Sequence, residues 1–598
     1  MDTSPGSCDR LRQAIDDEIN SLEESTRALK SRQNELASIS CLPPETLTAI
    51  FSFLSLSAWH VKIDEYAWHK ETVKVAWTCV AHVCRRWRET ALNHPGFWSR
   101  INLTKLTPVG MAEILARAKA VPLHMEADVN DWSVEQIVAF GRQLEIHISH
   151  TRHLSISGRH VPTLLEQLVS SAPILEYLSL STESPQSSST DWPQAIIPDN
   201  LLNRITPSLT NLELERCDII WMSPFLRGLR RLQIHKLSLE VRPKLEDWLD
   251  ALNEMSQLEE LSLQSASPLA PPTGPLISDP GPSRSALLPF LTQFHISDTS
   301  KECALAFTHL ALPALTRLHV DVESQKWSGE DVRLVIPYVA RKVRGMPDIE
   351  PLRSILFSGE RKRAEVVAWT RPDADVKVCS PTTLRSESIS ARLIFTATGN
   401  QPGSYWNHKV VTEIYDALFT HLAVDSVSTF SAQNQTLLSK EFWLNQAPRL
   451  PLLERVSLVP TAVKAFRDML EEEAPPDGPR FPLLTKFSIK SVTWTLKRMY
   501  HFRDMLLERV EQGVPLESLD LRGCEEPDPS RVNRIFAEIV VDVQGPSYSS
   551  WEVDEWGVRT GTQKEAEYDP KEVVYDNYLD FEPWYGLDYD EEYVYDDY

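Results

Sequence analysis

The sequence predicts an α/β chain in which N-terminal helices lead into a long array of short parallel strands alternating with helices. Three observations predict it. A hexapeptide of the form Leu-x-x-Leu-x-Leu recurs, in ten copies with substitutions, from His153 to Leu521. Helix-like runs such as Val161 to Ser170 and Lys244 to Met255 lie between copies. Two apolar helical stripes stand together between Leu42 and Trp98.

From Asp9 to Ile39 the pattern is a polar helix with a seven-residue row, Ile15, Leu22, Leu29 and Leu36, flanked by Leu11, Ile19 and Ile39. The second row is interrupted by Glu18, Ser25 and Arg32. Packing of this stripe back on its own chain is therefore favoured over a short coiled-coil dimer.

The next stretch, residues 40–103, opens Leu42-Pro43-Pro44-Glu45. Prolines suit a helix start, Glu45 suits its positive end, and Leu47, Ile50, Phe51 and Leu54 follow at i, i+3, i+4 and i+7. A second helix places Trp77, Val80, Cys84 and Trp87 on one face with Val83 beside it, and Asn93-His94-Pro95-Gly96 stops it before Phe97 and Trp98. Two such short apolar helices need a partner.

The order of Leu42-Pro43, Ile50-Phe51 and Cys84-Arg85-Arg86-Trp87 resembles the F-box family. That resemblance implies a three-helix module docking on the Skp adaptor of a cullin-RING ubiquitin ligase. By it, Leu42, Pro43, Pro44, Glu45, Leu47, Ile50, Phe51, Leu54, Val80, Val83, Cys84, Trp87 and Trp98 are the adaptor-binding or module-core residues. The insert Ser55 to Ala76 is rather long for the family. A polar helix ahead of Leu-Pro-Pro-Glu is similar to the arrangement in F-box proteins of filamentous and mushroom-forming fungi.

After Trp98, Ser99 to Leu103 alternates as a first strand and a helix follows around Gly110 to Ala120. The repeat copies then include Leu175 to Leu180, Leu209 to Leu214, Leu229 to Ile234, Leu258 to Leu263, Leu291 to Ile296 and Leu315 to Val320, with late copies at Leu453, Leu484 and Leu516. Each places its last two apolar side chains on one face of a strand and the first on the turn before it. This is leucine-rich-repeat grammar, irregularly spaced, and residues 104–540 are assigned to it. The asparagine or cysteine that ends a regular repeat is mostly absent, with Cys217 and Cys524 the nearest approaches. Stacked units of this kind place helices outside and offer a strand surface to a target protein.

Flexible loops are expected near 181–191, which is serine-rich, and 265–286, which is proline-rich. Residues 328–445 show the repeat poorly, with Leu352 to Leu356 and Val427 to Phe430 as degraded copies. The tail 541–598 is dense in acidic and aromatic residues, 13 acidic against one lysine from Glu565 to Tyr598, and is expected to be disordered or to dock on a basic surface.

Net charge of −23 argues against nucleic acid as partner. Eight scattered cysteines and the absence of a leader or of a long uncharged apolar stretch predict reduced thiols, no membrane span and a cytoplasmic or nuclear address. Phosphate-loop, nucleophile-elbow and zinc-protease motifs are missing, so no enzyme, catalytic residue or cofactor is expected. No metal is expected either: His147, His150 and His153 are spaced to face apart on a strand, and Cys79, His82 and Cys84 lack a fourth ligand. Two functions lead, the substrate-receptor subunit of an SCF-type ligase, reaching cullin through the adaptor, and a non-catalytic repeat scaffold that recruits no ligase; a third, an enzyme within 328–445, would need a deep polar pocket with perturbed carboxylates or histidines.

Overall fold

The computed structural model of the chain describes residues 5–57, 76–104, 106–183, 192–271, 284–324, 330–346, 350–360, 363–372, 391–399, 408–434, 436, 438–472, 478–493, 496–525 and 529–545. The expected loops fall largely outside these residues, as does nearly all of the acidic tail.

Helix α1 spans Pro5–Glu35 and a 3-10 turn follows at Ser38–Cys41. The stripe Ile15, Ile19, Leu22 and Leu29 is exposed along α1, so it does not pack back on the chain as the sequence suggested. The polar breaks in the second row leave the seam too narrow to anchor a helix.

Helix α2 (Pro44–Ser57), a 3-10 turn (Ala76–His82), α3 (Arg85–Asn93) and a second 3-10 turn (Pro95–Trp98) come next. The single helix read through Trp77 to Trp87 is thus broken. Cys84 is fully extended at φ −155° and ψ 170°, and Arg88 Nε donates across the break to the Ala81 carbonyl at 2.8 Å. Helix α4 (Pro108–Ala118) starts on Thr107, whose hydroxyl accepts from the Gly110 amide at 3.2 Å, an N-cap.

Among the described residues, seventeen strands form one sheet. They are β1 Arg100–Asn102, β2 Leu123–Asp128, β3 Thr151–Ser157, β4 Tyr177–Ser181, β5 Asn211–Glu215, β6 Arg231–His235, β7 Glu260–Gln264, β8 Gln293–Thr299, β9 Arg317–Ser324, β10 Ser354–Glu360, β11 Arg363–Trp369, β12 Leu393–Gly399, β13 Thr429–Asn434, β14 Arg455–Leu458, β15 Lys486–Thr493, β16 Ser518–Glu525 and β17 Asp542–Gln544. β1 to β9 lie side by side in chain order, all parallel, and so do β13 to β17. Between them the order reverses: β9 pairs with β12, β12 with β11, β11 with β10 and β10 with β13, and among the described strands only β11 runs antiparallel to its neighbours.

Within the stretch 328–445, where the repeat is poorly marked, β10 to β12 therefore form a reversed three-strand insertion in the array. Both faces of β11 are buried, which erased the alternation that marks the other strands. The strands around Ile355 and Phe430 are neighbours in the sheet, and the last strand reaches Gln544, beyond the boundary at 540.

A backbone device repeats from unit to unit. The carbonyl of Glu176 accepts from the amides of Thr210 and Asn211, that of Thr210 from Arg230 and Arg231, and that of Arg230 from Glu259 and Glu260. The same pairing links Glu259 to Thr292 and Gln293, Thr292 to Thr316 and Arg317, Arg353 to Ser428 and Thr429, Ser428 to Glu454 and Arg455, and Glu454 to Thr485 and Lys486. Units of unequal length thus keep one strand start in common, with the variation carried in the connections. Arg216, Lys236 and Ser265 each follow a strand with positive φ and donate their amide to the next strand.

The apolar positions of the strands are buried in one continuous core with the intervening helices, such as Leu245–Glu254, whose Trp248, Leu249 and Leu252 are inaccessible. The alternate positions form the other, polar face, except at β10 to β12, where Leu356, Val367, Trp369 and Ala391 form a second small apolar cluster. Cys217 and Cys524 are buried and their thiols approach carbonyls of adjacent strands, Leu180 at 3.5 Å and Ile489 at 3.2 Å.

Candidate interaction surfaces

The stretch from Leu42 to Trp98 divides into residues that hold it and residues it shows. Leu47, Phe51, Val80, Phe97 and Trp98 are buried, with Leu42 and Trp87 partly buried against the same core. The Phe51 ring lies 5.2 Å from that of Trp87 and 5.8 Å from that of Phe97. Trp98 closes the module onto the sheet domain: its indole donates to the Ala91 carbonyl at 2.8 Å, and the Arg117 guanidinium of α4 lies 5.0 Å from its ring.

The exposed set is different. Ile50 and Phe53 are 38% and 72% exposed on α2, three residues apart and so on neighbouring positions of one helix face, and Val83 is 59% exposed at the end of the 3-10 turn. Pro43, Pro44 and Glu45 are exposed at the start of α2, and Cys84 is half-buried at the start of α3. The side chain of Leu54 lies outside the described residues. Two residues escaped the sequence reading. Phe53 falls off the expected stripe, although it continues the i, i+3 row from Ile50. Arg86 donates to the carbonyls of both Ser40 and Leu42, tying α3 to the segment that opens the module.

A second surface is the polar face of the sheet. Its N-terminal part carries a stack of rings on adjacent strands: His124 lies 5.6 Å from His153, and His153 lies 4.0 Å from Tyr177 and parallel to it. Tyr177 Oη donates to Glu213 at 2.6 Å. Burial and then the Glu213 charge push the Tyr177 pKa up, and burial with His124 and Arg100 beside it pulls His153 down to about 4. At the strand ends Lys236 bridges Glu183 at 2.7 Å and Glu215 at 3.1 Å, and Arg216 reaches Glu183 at 2.6 Å. Burial works against the Glu183 carboxylate, yet Lys236 and Arg216 hold its pKa below the usual range.

Further along the same face, His235, Ser262, His295, Asp321 and His319 form a connected row, with gaps of 3.2, 3.0, 3.1 and 3.2 Å. Among the described residues, His295, His319 and Asp321 are a group whose donor atoms all come within 4.8 Å of one another. The sequence held a signal for them, since His295 and His319 occupy the same place in consecutive copies, Phe294-His295-Ile296 and Leu318-His319-Val320. The run His147, His150 and His153 does not lie on one strand with its members facing apart: His147 ends a helix and His150 a 3-10 turn, so the two pair at 3.2 Å, and only His153 stands on β3, in the ring stack.

The described cysteines Cys41, Cys79, Cys84, Cys217, Cys303 and Cys524 are free thiols, and burial raises Cys217 to about 12. No helix among the described residues is long and apolar enough to cross a membrane.

No curated protein is found to match the chain. Residues 39–104 match the family described as F-box-like, the stretch whose buried and exposed apolar residues are set out above, and this supports an F-box protein. F-box domains generally bind Skp-type adaptors and their proteins are generally non-catalytic, and the chain carries an F-box-like domain, which suggests a role as an adaptor in ubiquitin ligase complexes.

Proposed function

We propose that the protein is a substrate-receptor subunit of an SCF-type cullin-RING ubiquitin ligase. The carrying observation is the exposure of Ile50, Phe53 and Val83 on an F-box-like domain whose Leu47, Phe51, Val80, Phe97 and Trp98 are buried. Such side chains favour removal from water against a partner's apolar groove. In this reading they dock on the Skp-type adaptor, with cullin reached through it. The polar face of the sheet, read as an irregular leucine-rich-repeat array, presents a target protein. The mechanism is proximity: the receptor raises the local concentration of the target near the ligase. The setting is cytoplasmic or nuclear.

Affinity purification of the full chain tests the proposal. Adaptor and cullin in one complex, lost together when Ile50 and Val83 are changed to aspartate, are the expected result. Adaptor without cullin would favour the scaffold reading, and absence of both would overturn the docking assignment.

A further inference from the structure

We propose that His295, His319 and Asp321 form a binding site for a divalent transition-metal ion of the zinc class on the polar face of the sheet. The inference is independent of the ligase reading.

The donor set suits such an ion. Two imidazoles and one carboxylate are borderline-to-hard ligands of the kind that bind zinc and its first-row neighbours, and three protein ligands leave a coordination position open. Rigid elements position all three. His295 and His319 are register partners on the parallel strands β8 and β9, and Asp321 lies two residues beyond His319, hence on the same face. Both Nε2 atoms converge on the Asp321 carboxylate, His295 at 3.1 Å to one oxygen and His319 at 3.2 Å to the other.

The surroundings supply the outer contacts that metal-binding imidazoles use. Ser262 Oγ lies 3.0 Å from His295 Nδ1, and His235 Nε2 lies 3.2 Å from the same hydroxyl. A hydroxyl both donates and accepts, so Ser262 accepts the Nδ1 proton of His295 when Nε2 turns to a metal and passes its own hydrogen toward His235. Glu365 on β11 is 6% exposed, pairs with Arg363 at 3.3 Å and is coupled electrostatically to Asp321 and His319.

One rearrangement is required. The two imidazoles are stacked, centroids 4.1 Å apart and planes 12° from parallel, so their in-plane lone pairs run side by side rather than meeting. An ion within reach of both needs the rings to turn about their outer torsions. Those torsions are soft, and the three side chains are each 29–31% exposed, so no packed core resists the turn. Metal binding therefore exchanges two imidazole–carboxylate hydrogen bonds for coordination.

The test uses the full chain, stripped with a chelator and titrated with Zn²⁺ against a chromophoric competitor, with Co²⁺ as a spectroscopic probe. One equivalent should bind, with a visible Co²⁺ spectrum showing nitrogen and oxygen donors and a rise in unfolding temperature on adding Zn²⁺. His319→Gln and Asp321→Asn each preserve volume at a part-exposed site and should abolish all three signals while leaving circular dichroism unchanged. Ser262→Ala, acting through His295 as a positioning change, should weaken binding by about tenfold. His124→Ala, on the same face and outside the cluster, should bind as the unaltered protein does. Two results would overturn the proposal: no Zn²⁺ or Co²⁺ bound by the unaltered chain, or binding unchanged in both His319→Gln and Asp321→Asn.

Discussion

Phe51 and Trp87 meet with ring centroids 5.2 Å apart in the core of the F-box-like domain, while Ile50, the residue next to Phe51, is exposed. Adjacent positions on one helix thus have opposite jobs. Phe51→Ala should cost about 3–5 kcal/mol, the range for truncating a fully buried aromatic ring, and should weaken adaptor binding only as far as it unfolds the module. Ile50→Asp together with Val83→Asp should leave the thermal midpoint nearly unchanged and abolish binding to the adaptor. Paired calorimetry and pull-down on both variants check this; a large loss of stability in the surface pair would contradict the division.

Arg86 supplies a different kind of hold. Its guanidinium donates to the backbone carbonyls of Ser40 and Leu42, so α3 fixes the chain immediately before Pro43 and α2. Arg86→Met keeps the aliphatic stem and removes the donors. Adaptor affinity should fall while helix content is retained, because the opening segment loses its fixed position. Hydrogen exchange should rise at Ser40 to Leu42 and not along α2. Arg86→Lys should rescue little, since an ammonium lacks the planar fork that reaches two acceptors.

Much of this architecture was legible in the residues, and the exceptions have physical causes. The Leu-x-x-Leu-x-Leu units became strands because one face is buried and the other polar, a difference that a period of two writes into the sequence. β11 carries no such contrast, so its antiparallel insertion between β12 and β10 was not legible. Leu123–Asp128, the second strand, alternates but lacks the leucine spacing of the other units, and it was missed for that reason. In the F-box-like stretch the pattern identified the apolar residues but not their division. Leu47 and Ile50 fit one helical stripe equally well, and only the packing of Phe97 and Trp87 shows which side faces inward. The histidine cluster was hidden differently, because its members lie 24 and 2 residues apart and converge only when consecutive strands align.

His153 should make stability pH-dependent. Burial, then His124 and Arg100, pull its pKa down to about 4 in the folded chain, with the parallel Tyr177 ring stacked on it. The unfolded chain takes up a proton near pH 6.5, whereas the folded chain holds out to about 4, so the unfolded state binds more protons in that window. Stability contributed by this site is therefore full above about pH 6.5 and lost as pH falls toward 4, by about 1–2 kcal/mol once solvent screening is allowed for. Urea unfolding at pH 7.5 and pH 5 should show the loss, and His153→Phe, which keeps the stack and cannot be protonated, should reduce it. An equal loss in that variant would assign the effect to other groups.

Arg509 closes the last part of the sheet domain from within. It is 3% exposed, and its guanidinium donates to the carbonyls of Arg480, Phe481 and Leu484 at 3.1, 3.2 and 3.4 Å, so burial lowers its pKa only to about 10 and it remains charged at neutral pH. Those carbonyls belong to the turn entering β15, where Phe481 takes a positive φ of 50° that a non-glycine residue adopts only under constraint. Removing the guanidinium leaves three carbonyls, two of them in buried hydrogen bonds, without that partner. Arg509→Met should therefore destabilise by about 2–4 kcal/mol, more than an ordinary surface substitution. The damage should be local, because each unit is held chiefly by its neighbours in the array. Hydrogen exchange should quicken first in β15 and β16, with β3 to β9 protected as before. Uniform loss of protection across the sheet would show that the array unfolds as a single cooperative body.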